Sequence, residues 1–201
     1  GVVLDGAVNV EDGEAAASTV EVALVRRREQ SSSDPCHAVR LAWDAGAAYI
    51  FQRDHGGADA WGQVAKIGSS DAGTHDHFGS SVSIDGDTLI AGAPWTDHSG
   101  EFSGSVYAFE RDQGGANAWG EAAKQDCPGV LTAQHIRFGS SVCVSVDEVI
   151  VGAPHYQNNG WNPGSAYVFH RDQGGVGTWG LVATLAPADG EERQAGPQQP
   201  D

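Results

Sequence analysis

Methionine is absent from all 201 residues, and cysteine is limited to three positions. With no initiator, the chain is read as a processed or excised piece of something longer. An odd cysteine count gives no complete disulfide framework. A Cys36–Cys127 bridge stays open as a pairing, and Cys143 is read as an inert strand residue. Basic side chains are also scarce, 11 Lys and Arg against 27 Asp and Glu, for a formal net charge of -16. That balance argues against a nucleic-acid partner, because phosphates must be met by a basic face. No apolar run approaches the ~20 residues of a membrane helix, so membrane insertion is not expected. The start, Gly1-Val2-Val3-Leu4-Asp5, lacks the basic stretch and apolar core of a secretory signal. No nucleophile elbow, phosphate loop or Cys-x-x-Cys occurs, and no catalytic residue is assigned.

Glycine, by contrast, is abundant, with 28 in the chain, about twice ordinary usage. Much of it recurs in register. Residues 46–67 read GAAYIFQRDHGGADAWGQVAKI, 104–125 read GSVYAFERDQGGANAWGEAAKQ, and 164–185 read GSAYVFHRDQGGVGTWGLVATL. Ten of the 22 positions are identical in all three copies, which lie 58 and 60 residues apart. A second unit alternates with the first: FGSSVSIDGDTLIAGAP at 78–94 and FGSSVCVSVDEVIVGAP at 138–154. Repeats of this period build stacked architectures, so they govern the whole fold.

The apolar runs are short, rich in β-branched and aromatic residues, and bounded by glycine and aspartate, which predicts strands. Asp85-Gly86 is a strong hairpin signal. One repeat contains four predicted strands, 80–84, 88–92, 105–109 and 118–124. The strand that carries Tyr49 and Phe51 is apolar on both faces, so each sheet is expected to be buried on both faces. A unit of four short antiparallel strands stacked face to face describes a propeller blade. The predicted fold is all-β, a partial β-propeller of about three four-stranded antiparallel blades.

Phe78-Gly79 followed by Gly92-Ala93-Pro94, and Phe138-Gly139 followed by Gly152-Ala153-Pro154, resemble FG-GAP repeats. These repeats are known from integrin α-chain β-propellers and from bacterial and algal surface proteins. The resemblance spans residues 46–185 and implies a propeller fold and a binding or adhesion role outside the cell or at its surface. Family members often carry a calcium loop of Asp-x-Asp-x-Asp-Gly type. Here that loop is contracted to Asp85-Gly86-Asp87, and to Ser145-Val146-Asp147 in the second copy. Calcium takes six to eight oxygens, so no calcium or other cofactor is expected. The segment 172–179 approaches a sialidase-type Asp box, but its tryptophan comes seven residues after the aspartate instead of five, and a glycosidase reading is set aside.

Repetition also separates construction from function. Tyr49, Tyr107 and Tyr167, Phe51, Phe109 and Phe169, and Trp61, Trp119 and Trp179 recur in every copy and are expected in the core. Arg53-Asp54, Arg111-Asp112 and Arg171-Asp172 read as hairpin ion pairs. The loops after Gly-Ala-Pro differ between copies, and variable loops on a rigid scaffold carry function. Their candidate ligand-binding residues are Trp95, Asp97, His98 and Glu101 in one loop and Tyr156, Asn158 and Trp161 in the other. His75-Asp76-His77 places two histidines in one loop, short of the three or four converging ligands zinc needs, so no metal ligand is assigned.

The expected organisation has residues 1–45 as a degenerate half-blade or lead-in and 46–77 as the end of the first blade with its linker. Residues 78–137 form the second blade and linker, 138–185 the third blade, and 186–201 a disordered tail. The expected function is non-catalytic binding to a protein partner. The alternatives are a glycan-binding accessory domain of a larger enzyme, and a spacer or decayed fragment without ligand. About three and a third repeat lengths fit in the chain, whereas propellers close with roughly four to eight blades. Uncovered terminal sheets would then seek further blades or self-associate.

Overall fold

The computed structural model describes residues 44–58, 60–129, 135–155 and 164–187 in full, together with the backbone of three strands nearer the start. Strands β1 (Val3–Leu4) and β2 (Asn9–Val10) both pair antiparallel with β3 (Val20–Arg26), which pairs with β4 (Ala48–Arg53) and then β5 (Trp61–Ile67). The second sheet is β6 (Ser81–Asp85), β7 (Thr88–Ala93), β8 (Ser105–Glu110) and β9 (Gly120–Asp126). The third is β10 (Ser141–Ser145), β11 (Glu148–Ala153), β12 (Ser165–Arg171) and β13 (Trp179–Leu185). Spatial order follows chain order in the second and third sheets, and every pairing is antiparallel. Among the described residues there is no helix. The sheets are propeller blades, as the strand pattern predicts, and they form an open stack, not a closed ring.

The copies share even their irregularity. Register shifts fall at Ile50/Phe51, Ala108/Phe109 and Val168/Phe169, the same place in each blade. A bulge bends its strand and increases local twist, so each blade acquires the same twist at its outer edge.

Alternation along the strands divides the second blade's side chains between two cores. Leu89, Ala91, Tyr107, Phe109 and Trp119 pack with Ala48, Ile50 and Ile67 of the first blade. Ile90, Val106 and Ala108 face the other way, against Val149, Val151, Tyr167, Phe169 and Trp179 of the third. Each core thus sets an aromatic face against a small aliphatic one. The Phe of each Phe-Gly completes it, edge-on to the rings of the Tyr-x-Phe strand. Phe78 lies 5.5 Å from Tyr107 and 5.8 Å from Phe109, and Phe138 lies 5.3 Å from Tyr167 and 6.1 Å from Phe169. Each such ring contributes roughly 1.5–3 kcal/mol by burial alone.

Near the innermost strands the blades are joined by polar contacts. The Phe78 N–H donates to the Ala45 carbonyl (2.7 Å) and the Phe138 N–H to the Ser103 carbonyl (3.0 Å). Within each blade the Phe-Gly glycine bonds the Gly-Ala-Pro glycine, Gly79 to Gly92 at 2.8 Å and Gly139 to Gly152 at 3.1 Å. Alternate side chains of β6 reach the next blade: Ser81 Oγ donates to the Gly139 carbonyl (2.7 Å) and Ser83 Oγ accepts from the Val144 N–H (3.1 Å). Asp85 Oδ2 accepts from the Val146 N–H (2.5 Å) in the same manner.

Two expectations need correction, and a pairing left open is decided. First, only the middle blade is buried on both faces. Trp119 and Trp179 are 3% and 5% exposed, but Trp61 is 43% exposed, because among the described residues no sheet packs on its side of the first blade. Tyr49 and Phe51 are likewise only partly buried. On the third blade Ile150 is 47% exposed, whereas Ile90, its counterpart in the second, is 2% exposed. Cys143, paired with Ile150 across the strands, is exposed on that same open face. Second, Arg111 and Asp112, and Arg171 and Asp172, engage other partners rather than each other. Arg111 Nε meets Asp87 Oδ1 (3.0 Å) and Arg171 Nε meets Asp147 Oδ1 (3.2 Å), so each arginine clasps the hairpin beside it. Their guanidinium groups lie over Trp119 and Trp179. Asp112 and Asp172 instead accept the N–H groups of Asn117 and Gly177 within their own loops. Third, Cys127 has a free, buried thiol, 3.6 Å from the Tyr167 hydroxyl, and burial pushes its pKa up to about 11. Cys36 lies outside the described residues.

Two glycines with nearly equal φ test the seam. At Gly104 (φ 84°) an added Cβ would sit 2.1 Å from the Phe138 carbonyl oxygen, whereas at Gly114 (φ 85°) it would meet nothing within 4 Å. Gly114→Ala is expected to cost about 1 kcal/mol, the left-handed penalty alone. Gly104→Ala adds a backbone collision and is expected to cost about 3 kcal/mol or more. Urea denaturation of both variants measures the difference, and equal losses would mean that close approach does not govern the seam.

Candidate functional site

Up-and-down connectivity sorts the loops into two ends. The β6–β7 and β8–β9 hairpins lie at one end. The β7–β8 loop and the linkers between blades lie at the other, along with the lead into β4. Asp85 and Asp87 sit at the hairpin end, where Val146 and Arg111 already engage their carboxylates. That arrangement does not present two free carboxylates to calcium.

At the opposite end the β7–β8 loop is held rigidly. Thr96 is fully buried, its Oγ1 2.7 Å from the Ser105 Oγ. Asp97 Oδ1 accepts the Phe102 N–H (2.8 Å), closing the loop on itself. Trp95 lies in a ring stack, 5.5 Å from His77 and 5.0 Å from Phe102, with the Arg137 guanidinium 4.3 Å from its ring centre. Glu101 is exposed, and its carbonyl accepts the His135 N–H (2.7 Å). The loop is thereby stitched to the linker that leads into the third blade. Tyr156, Asn158 and Trp161 fall outside the described residues.

His98 joins a group that its own loop does not contain. Its Nε2 lies 2.9 Å from Asp71 Oδ2, which also receives the Lys124 ammonium at 2.7 Å. The other Asp71 oxygen accepts from the Tyr107 hydroxyl (2.8 Å). Burial opposes ionisation of Asp71, but the hydrogen bonds from Lys124 and Tyr107 outweigh it and hold the pKa below its ordinary value. Tyr107 is raised, by burial first and by its carboxylate partner second, so it stays a donor. Asp76 behaves oppositely. It is buried beneath the linker, and desolvation raises its pKa although the Gly73 N–H donates to it at 2.5 Å. Asp71 carries no repeat signal and no motif, and Lys124 recurs only as Lys66, so sequence reasoning passed over them.

Beside this group, Asp44, His75 and His77 converge. His77 Nε2 is 3.4 Å and His75 Nδ1 3.8 Å from the same oxygen, Asp44 Oδ2. Among the described residues these three form the one group of His, Cys, Asp and Glu able to share a metal ion. Asp44 comes from the lead into β4, some 30 residues before the histidines, which is why the linker read alone offered only two ligands.

The two carboxylates give a paired pH test. Asp71 has a folded pKa below its unfolded one, so its stabilisation is present above the unfolded value and lost as pH falls through the folded one. Asp76 is raised, so stability falls as pH rises from the unfolded value and the loss is complete above the folded one. Asp71→Asn is therefore expected to lower Tm near neutral pH, with the deficit closing in acid. Asp76→Asn is expected to raise Tm near neutral pH, with the gain vanishing in acid. Thermal melts from about pH 3 to pH 7 distinguish them, and shifts of the same sign would overturn the assignment.

The blades bear directly on kinship. The family model described as FG-GAP repeat matches residues 61–109 and 132–169. The first match runs from β5 to β8, and the second from the linker before β10 to β12. No curated protein matches the chain. FG-GAP repeats build integrin-like binding and adhesion propellers, are generally non-enzymatic, and typically occur in extracellular or surface proteins. With its matched segments lying on antiparallel blades, each Phe-Gly bonded to its Gly-Ala-Pro, the chain is an FG-GAP repeat protein.

Proposed function

We propose that this chain is a non-catalytic binding module, acting outside the cell or at its surface, that meets a protein partner through the β7–β8 loop end of its blades. The observation that carries this reading is the contrast between the two ends. Arg111, Arg171, Asp85, Asp87 and Asp147 are tied into structural pairs at the hairpin end. The other end holds a loop closed by the Asp97–Phe102 bond and the His98–Asp71 pair, on which Asp97, His98 and Glu101 all remain exposed. Rigid presentation favours binding, because little side-chain and loop freedom is lost on association. A net charge of -16 favours a partner with a basic surface.

A protein partner is favoured over a glycan at Trp95. Stacking on a sugar needs an open aromatic face, and the Arg137 guanidinium lies against this one. Adhesion of cells to surfaces coated with the chain tests the reading. The double variant Asp97→Ala/Glu101→Ala is expected to reduce adhesion several-fold, while Asn117→Gly at the hairpin end leaves it unchanged. Equal adhesion by all three chains would sink the proposal. Glycan-array binding lost on Trp95→Ala would replace the protein partner with a sugar.

The open face of the third blade supports a second partner, another blade of the same kind, which a second copy of the chain can supply. Ile150 and Leu185, which the register puts on the same face as Val168, are exposed there. On the second blade the equivalent face is covered by Phe138, Tyr167, Phe169 and Trp179. The first blade exposes Trp61 at the other end of the stack, so two copies can meet head to tail. Sedimentation velocity is expected to show concentration-dependent self-association that Ile150→Glu suppresses. A clean monomer at high concentration would contradict it.

A further inference from the structure

We infer that Asp44, His75 and His77 form an interblade site for a first-row divalent transition metal, with zinc the best match. Two imidazole nitrogens and one carboxylate oxygen suit zinc and its neighbours, whereas calcium and magnesium prefer all-oxygen sites. In a tetrahedral zinc site with bonds of about 2.0–2.2 Å, ligand atoms lie about 3.4 Å apart. His77 Nε2 and Asp44 Oδ2 are 3.4 Å apart, His75 Nδ1 and Asp44 Oδ2 are 3.8 Å apart, and all three ligand atoms fall within 4.8 Å of one another. Both nitrogens approach the same oxygen, as ligands converging on one ion do. His75 is 62% exposed, so its side chain can close the remaining gap without moving the blade.

The repeat supplies an internal control. Asp44, His75 and His77 occupy the same backbone frame as Phe102, His135 and Arg137 one repeat later. The matched φ angles are 59°, 69° and 55° in the first copy and 53°, 63° and 57° in the second. The frame is therefore part of blade construction, and its left-handed residues are not themselves evidence of a site. What differs is the side chains it carries. The second copy holds a ring pair, Phe102 against His135 at 5.2 Å, with Arg137 on Trp95. The first copy places a carboxylate where the phenyl ring stands and a second imidazole where the guanidinium begins. Asp76, between the two histidines, turns inward to Gly73 and takes no part.

Three protein ligands leave a coordination position for water. An ion here would tie the lead into β4 to the linker ahead of Phe78, joining the first two blades beside the Phe78–Ala45 hydrogen bond. It would stabilise the stack by mass action, since the unfolded chain has no such site.

Zinc titration of the full chain, followed by calorimetry and by thermal melts, tests the site. The expected result is one tight equivalent and a Tm that rises with zinc but not with calcium. Asp44→Asn and His75→Gln are each expected to weaken that equivalent about tenfold or more, while His135→Gln leaves it unchanged. Because His75 is largely exposed, His75→Gln reports on the ion even if Asp44→Asn perturbs the fold. Absence of the tight equivalent in the unmodified chain overturns the inference. So does zinc binding of unmodified strength in His75→Gln, which would place the ion on other histidines.

Discussion

The structure depends on one close approach between backbones, where the Phe-Gly of one blade meets the strand entry of the blade before it. At Gly46 an added Cβ would sit 2.1 Å from the Phe78 carbonyl oxygen, and at Gly104 the same distance from that of Phe138. Both glycines also hold positive φ. A side chain would be excluded twice, by conformation and by space. With the chains this close, a single peptide hydrogen bond spans the seam, from Phe78 to Ala45 or from Phe138 to Ser103. The phenylalanine is then delivered onto the Tyr-x-Phe strand, edge-on to both rings. Spacing, hydrogen bond and aromatic core follow from the same absent atoms.

Because the seam repeats, identical residues meet different fates according to their neighbours. Trp119 and Trp179 are enclosed because a blade lies on their side, and Trp61 is open because none does among the described residues. Ile90 and Ile150 sit at the same strand position, yet only Ile90 faces another blade. Local sequence sets which way a side chain points from a strand. Burial is a property of the stack, and each blade obtains its two cores only from its two neighbours.

The two ends of the blades have separate roles for a related reason. The hairpins keep the same backbone shape from copy to copy, with Gly86 and Val146 at φ 57° and 52°, so their charged residues find fixed partners, arginine to the adjacent hairpin and aspartate to its own loop. The linkers and the β7–β8 loop are longer and vary between copies, which lets them carry residues that construction does not require. Asp71 gathers Tyr107, Lys124 and His98 from three elements, and Asp44 gathers His75 and His77. A single blade frame thus holds a phenyl–imidazole pair in one copy and a carboxylate with two imidazoles in the other.

The sequence alone was enough to determine the blade. Alternating apolar residues, Asp-Gly punctuation and the in-register Phe-Gly and Gly-Ala-Pro elements specify the strands of the second blade to within one or two residues. They do so because strand pairing and turn geometry are local. It also marked the variable loop of Trp95, Asp97, His98 and Glu101, since departure from a repeat is visible without coordinates. It misassigned Arg111-Asp112 and Arg171-Asp172, because adjacency in sequence does not set side-chain direction at a hairpin. The partners of Asp71, Asp44 and Arg137, and the burial of Trp61 and Ile150, were decided by the tertiary structure. Each depends on which segments stacking brings within a few ångströms, and segments some thirty residues apart in the chain leave no periodic trace of that meeting.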